Sequence, residues 1–175
     1  MKISDMDKGI GFNRTVFRSW LDATAALCAE TDDVEELRAR LDPVVSQHLT
    51  GDEAKRKTID VLINIWLKTR ETVPDLHQEA VEQFHASPVV GDRLWLHYGL
   101  SLVAYPFFRQ CAATIGRFSK LGGTITTRTV KDRMAGEMGH LGSLDRSVER
   151  VVASLRDWDV LAETAQRYVY EAQRG

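Results

Sequence analysis

The chain has 175 residues, of which 43% are apolar and 27% charged, a composition that excludes disorder as its main state and leaves room for one domain or two small ones. Its formal net charge is −2, but the charge is unevenly spread: residues 1–108 carry 12 basic and 17 acidic side chains, residues 109–159 carry 9 and 6. A net of −5 is thus followed by a net of +3, and any attraction for polyanions belongs to the later part.

Residues 1–13 are expected to form an extended arm, with no apolar stretch that would serve as a signal peptide. Phe12, Val16, Trp20, Ala23 and Leu27 recur at helical spacing and predict a first helix over about 15–30. Thr31-Asp32-Asp33 breaks it. Asp32 is the expected cap of the next helix, with Glu35 and Glu36 where the helix dipole favours negative charge. Val34, Leu37, Leu41, Val44 and Val45 give that helix an apolar face, which Pro43 is expected to interrupt. A third helix starts near Asp52 and presents Ile59, Leu62, Ile63, Trp66 and Leu67. Pro74 suits the first turn of a fourth, over 74–86.

Residues 92–120 are apolar nearly all round at first, from Leu94 to Phe108, which predicts a buried core helix kinked or broken at Pro106. That run is shorter than the roughly 20 apolar residues of a membrane span, so membrane insertion is not expected. Trp20, Trp66, Trp95 and Trp158 all read as core residues. Gly122-Gly123 then turns the chain, and Thr124-Ile125-Thr126 is one short strand. Thr127 is expected to cap a helix through Val130 and Met134, and Gly136, Gly139 and Gly142 to punctuate a loop. Ser143 is expected to cap a helix with Leu144, Val148, Val151, Val152 and Leu155 on one face. Residues 162–173 fit either a β-hairpin or a terminal helix.

Helix, strand, helix, turn, helix and hairpin is the order of a winged helix-turn-helix. With the apolar face inward, Arg146, Glu149, Arg150 and Ala153 face outward. Arg146 and Arg150, four residues apart, stand above one another. They occupy the N-terminal half of the helix, the part that reads a major groove, with Ser143 at its start. Arg128, Lys131 and Arg133 on the preceding helix are placed to meet phosphates. The competing reading is a solvated helix in which Asp145 and Glu149 pair with Arg146 and Arg150 and cancel their field.

Catalytic and metal patterns are absent from the sequence. His48, His77, His85, His97 and His140 are scattered and form neither HExxH nor a Cys/His cluster, and His97 reads as a satisfied core histidine. Cys28 and Cys111 read as reduced thiols of a cytoplasmic protein. Gly116-Arg117-Phe118-Ser119-Lys120-Leu121-Gly122-Gly123 lacks Walker A spacing, and no GxSxG elbow is present.

Two stretches carry a family likeness. One is Leu96-His97-Tyr98-Gly99 through Ala104-Tyr105-Pro106-Phe107-Phe108 to Ile115-Gly116-Arg117. The other is Arg146-Ser147-Val148-Glu149-Arg150-Val151-Val152-Ala153-Ser154-Leu155-Arg156-Asp157-Trp158-Asp159-Val160-Leu161. Over about residues 10–161 the chain resembles the BrxA family, which accompanies BREX phage-defence systems. The resemblance implies a helical protein with a winged-helix part that binds DNA, working beside a methyltransferase, an ATPase and a phosphatase-like component. No catalytic residues carry over.

The expectation is therefore a mainly α protein, with an N-terminal helical bundle over 1–90 and a winged helix-turn-helix over 91–175 sharing a core with it. Its expected ligand is double-stranded DNA, with defence-system proteins as further partners and no cofactor, metal or catalytic residue. The expected contacts are Arg128, Lys131, Arg133, Ser143, Arg146 and Arg150. The alternative is an interaction module that binds protein through its acidic N-terminal half. The sequence leaves the oligomeric state open.

Overall fold

A residue before proline is pushed out of the α region, and Tyr105 accordingly adopts extended backbone (φ −130°, ψ 101°). The apolar segment over 92–120 is thereby two helices, Val90–Ala104 and Pro106–Lys120. In the computed structural model, which describes residues 10–139 and 142–173, the chain folds as two compact units divided at this break. Residues 16–104 form the first. Residues 105–173 form the second, together with 10–15. The division thus falls at Tyr105 rather than at 90/91, and residues 10–15 join the C-terminal unit. Most of the expected N-terminal arm and His140 lie outside the described residues.

The first unit is helical throughout. α1 spans Arg18–Cys28, α2 Val34–Val45 and α3 Asp52–Ile63. α3 runs through a π-helical turn, Asn64–Lys68, into the short α4, Thr69–Thr72. α5 spans Pro74–Ala86 and α6 Val90–Ala104. Asp33, not Asp32, caps α2 by accepting from the Glu36 backbone N–H at 2.8 Å. Pro43 does not stop α2, which continues to Val45. α1 buries Trp20, Leu21, Thr24 and Ala25, not the expected stripe from Phe12, because the helix begins only at Arg18 and Phe12 lies in the other unit. Ile59, Leu62, Ile63, Trp66 and Leu67 are all buried as expected.

The π turn was not foreseen. A π turn displaces a backbone carbonyl from its usual partner, and here the Trp66 carbonyl accepts from His77 Nε2 at 2.7 Å. Trp66 Nε1–H donates to His97 Nδ1 at 2.9 Å. Indole N–H is donor only, so Nδ1 is the bare ring nitrogen. Nε2–H then donates to Asp22 Oδ1 at 2.7 Å. His97 is fully buried and satisfied on both nitrogens, a core histidine joining α1, the π turn and α6. α6 itself departs from expectation. It is not enclosed on all sides, and Trp95 is 59% exposed, whereas Trp20, Trp66 and Trp158 are buried.

The second unit begins with α7, Pro106–Lys120, followed by β1, Ile125–Thr126. α8 spans Thr127–Met138 and α9 Leu144–Asp157. β2, Leu161–Glu163, and β3, Val169–Ala172, are strands, so the hairpin alternative for 162–173 is the one adopted. The antiparallel sheet has the order β1-β3-β2, with Ile125 opposite Tyr170 and Glu163 opposite the same residue on the other edge. Thr126, one residue before the expected Thr127, caps α8 by accepting from Thr129 N–H at 3.0 Å. Gly136 is inside α8 rather than in the loop. Gly139, at φ +83°, ends the helix in a conformation that other residues rarely adopt.

Phe12 packs against Tyr105 and Phe108 at ring-centroid distances of 5.5 and 4.9 Å, and Phe108 packs on Trp158 at 5.6 Å. Gly11, at φ +58°, permits this approach: a β-carbon there would meet the Tyr105 ring at 2.8 Å. Both cysteines are free thiols, each pushed up to about 12 by burial, with Arg70 opposing the shift at Cys28.

Two outcomes follow for stability. Trp158→Ala is expected to cost about 3–5 kcal/mol, and Trp95→Ala less than about 0.5 kcal/mol, in urea unfolding. Equal losses would contradict the assignment of core and surface. Burial lowers the His97 pKa from 6.5, with Asp22 opposing. The unfolded chain therefore takes up this proton at higher pH than the folded one. The contribution is fully present above about 6.5 and is lost in acid at up to about 1.4 kcal/mol per pH unit. Between about pH 7 and pH 5.5, His97→Gln is expected to lose less stability than the parent protein. An equal loss would contradict the buried neutral ring.

Candidate nucleic-acid interface

The rotation of α9 about its axis decides what the second unit shows to its surroundings. Leu144, Val148, Val151, Val152 and Leu155 are buried, joined by Ser147 and Ser154. Arg146, Glu149 and Arg150 are left exposed and Ala153 half-buried. The Ser143 carbonyl accepts the first bond of α9, from Ser147 N–H at 3.0 Å, and its exposed hydroxyl makes no capping bond. Ser143 thus holds the expected position without the expected cap.

Charges on this surface are sorted by partner. Lys131 of α8 reaches across to Glu149 of α9, Nζ to Oε1 at 2.6 Å, and is largely covered. Arg128 is held on its own helix by Asp132, Nε donating to both carboxylate oxygens at 3.1 and 3.3 Å. Arg133 donates to Glu137 Oε1 at 2.9 Å. Glu137 also accepts from Gln110 Nε2 at 2.8 Å and lies 3.5 Å from Arg117. The Gln110 bond, with the two arginines, holds its carboxyl below the usual carboxylate range. Arg146 and Arg150 have no ion-pair partner among the described residues. Of the two acids expected to cancel them, Glu149 is spent on Lys131, and Asp145, in the first turn of α9, makes no ion pair among the described residues.

The six residues therefore divide. Arg146, Arg150 and Ser143 stand together along the first half of α9. The three cations of α8 each face a carboxylate. Exposed ion pairs are weak, about 0–1 kcal/mol, so Arg128 and Arg133 remain exchangeable for another anion, while Lys131 is the least accessible.

Sequence reasoning missed the residues that border this face at the C-terminal end of α9 and on the hairpin. Arg156 lies over the Tyr170 ring at 5.3 Å and pairs with Glu163 at 3.0 Å. Arg167 lies over Tyr168 at 4.8 Å, and Tyr168 is 58% exposed at φ +64°. Tyr168 N–H donates to Glu163 Oε1 at 2.7 Å, and Thr164 N–H to the Val169 carbonyl at 2.8 Å, so the hairpin tip is ordered by its own bonds. A groove of about 500 Å³ runs between α8, α9 and the hairpin, with Lys131, Ala153, Arg156 and Tyr168 among its walls. An arginine and an exposed tyrosine at a strand junction were the available signal. The open choice between hairpin and helix over 162–173 concealed it.

Together the parts make a shallow, open surface with guanidinium groups, a helix N-terminus and an exposed aromatic ring. That chemistry suits a polyanion with stacked bases. Among the described residues no His, Cys, Asp or Glu cluster is placed to hold a metal ion. Nor, among the described residues, is any helix long and apolar enough to cross a membrane. The chain matches no protein-family model, no curated protein and no solved structure.

Proposed function

We propose that the second unit is a winged helix-turn-helix that binds double-stranded DNA, with α9 as its recognition helix and the β2–β3 hairpin as its wing. The observation that carries this reading is the pair Arg146 and Arg150, exposed four residues apart and without an ion-pair partner among the described residues. The element order and the sheet order β1-β3-β2 support the wing. The N-terminal end of α9 adds a favourable dipole for phosphate. Catalysis forms no part of the reading: the protein acts by holding DNA. From its resemblance to the BrxA family, the chain is proposed as a DNA-binding accessory of a BREX-like phage-defence system, acting in the cytoplasm.

Binding of this kind releases counterions, so affinity for a labelled duplex is expected to fall as salt rises, with a log–log slope of about −0.9 per phosphate neutralised. Replacing Arg146 and Arg150 together with alanine is expected to weaken binding about tenfold or more and to flatten the slope by about two, without lowering the melting temperature. Glu149→Gln removes a negative charge from the same face and releases Lys131, so it is expected to tighten binding. Fluorescence anisotropy at low salt checks all three. No binding up to roughly tens of micromolar duplex, beyond the usual non-specific range, would overturn the proposal. So would an unchanged affinity in the double variant.

A further inference from the structure

α5 and α6 leave a groove between them that their own side chains do not fill. Its volume is about 210 Å³, and Leu76, Ala80, Trp95, Leu96, Gly99 and Leu100 form most of its lining. Small-molecule pockets usually measure about 300–1,000 Å³, so the groove suits an anchoring side chain better than a free ligand. Trp95 is 59% and Leu76 45% exposed, and Trp95 is braced edge-on by Tyr98 at 6.0 Å. A β-carbon at Gly99 would meet nothing within 4 Å, so the floor is open. An exposed tryptophan beside an open apolar groove is costly in water and is the usual mark of a docking surface.

The charge beside the groove is one-sided. On α5 the groove is lined by Leu76, Glu79, Ala80 and Gln83, and Asp75 and Glu82 lie on the adjacent stripe, on the side of Glu79. α5 contains neither Lys nor Arg. Two of its three carboxylates are held by neutral amides, Gln83 to Glu79 at 3.0 Å and Gln78 to Glu82 at 2.7 Å, which orient them without cancelling their charge. On α6, Asp92 precedes Trp95 by one turn. The arginine of that helix, Arg93, is turned onto the Phe84 ring at 4.4 Å and donates to the Ser87 carbonyl at 2.9 Å.

We propose that this groove docks an amphipathic helix of a partner protein, with an apolar face that enters between α5 and α6 and flanking Lys or Arg that meet Asp75, Glu79 and Glu82. Apolar anchors supply affinity in such grooves and complementary charge supplies choice of partner. An anionic membrane surface would be repelled by the same carboxylates. A second copy related by a two-fold axis would set the acidic stripes against each other. The site is separate from α9 and does not depend on the DNA-binding reading.

The test uses the full chain and two labelled peptides of about 18 residues, five helical turns. One is an amphipathic Leu/Lys helix and the other its Leu/Glu counterpart. By anisotropy the Leu/Lys peptide is expected to bind at micromolar concentrations and the Leu/Glu peptide at least about tenfold more weakly. Gly99→Leu fills the open floor, and Trp95→Ala removes one wall. Each is expected to weaken the Leu/Lys peptide about tenfold while the thermal melt is retained. Glu79→Lys with Glu82→Lys is expected to reverse the preference between peptides. Arg146→Ala with Arg150→Ala, which weakens DNA binding, is expected to leave the affinities for the two peptides as they are. Equal affinity for both peptides, or full affinity in Gly99→Leu, would overturn the proposal. A dimer in sedimentation that Gly99→Leu dissociates would assign the groove to a second copy and overturn it as well.

Discussion

The apolar stripe of α9 sets the orientation of every charge that matters on the second unit. Burying Leu144, Val148, Val151, Val152 and Leu155 is worth about 1.5–3 kcal/mol for each side chain, against about 0–1 kcal/mol for an exposed ion pair. Rotation about the helix axis is thus decided by the core, and the polar side chains take the places left over. Arg146 and Arg150 face outward because Val148, Val151 and Val152 face inward. Glu149 sits on the flank nearest α8, where Lys131 meets it. The unpaired arginines are a consequence of packing, not of any preference of their own.

Local chemistry explains what the sequence made legible. Pro74 starts α5 because its fixed φ and missing N–H suit a first helical turn, and α3 and its five-residue apolar face follow from spacing alone. The outward Arg146, Glu149 and Arg150 of α9 were readable for the same reason, while Ala153 is half-buried. What escaped the sequence depends on partners distant along the chain. Glu149 has an arginine beside it and an arginine three residues before it, yet pairs with a lysine 18 residues away. At the π turn the Trp66 carbonyl meets His77, eleven residues away, a contact that spacing does not announce. Trp95 looks like core by composition, and the groove beside it appears only when α5 and α6 are both in place.

Smaller misses have equally local causes. The caps at Asp33 and Thr126 each lie one residue from the expected position, because each has a neighbour of the same residue type that could cap a helix started one residue away. The unit boundary moves to Tyr105 because the residue before Pro106 cannot remain helical, and because Phe12 finds its aromatic partners beyond that break. The resemblance expected from the sequence rests on Leu96–Arg117 and Arg146–Leu161, stretches rich in buried residues. It therefore speaks to fold more directly than to contact chemistry.

The two units carry different surface chemistry: an apolar groove edged with carboxylates in the first, and in the second two guanidinium groups without an ion-pair partner among the described residues. On the two proposals, that division assigns DNA to the second unit and a basic helix to the first, and makes their location the central question. Titrating the isotopically labelled protein with a short duplex, and following backbone amide shifts by NMR, answers it most directly. The account requires the perturbed amides to cluster at 143–150 and at the hairpin tip, 164–168, with α5 and α6 unmoved. Shifts centred on α1–α6, or spread evenly over both units, would contradict it.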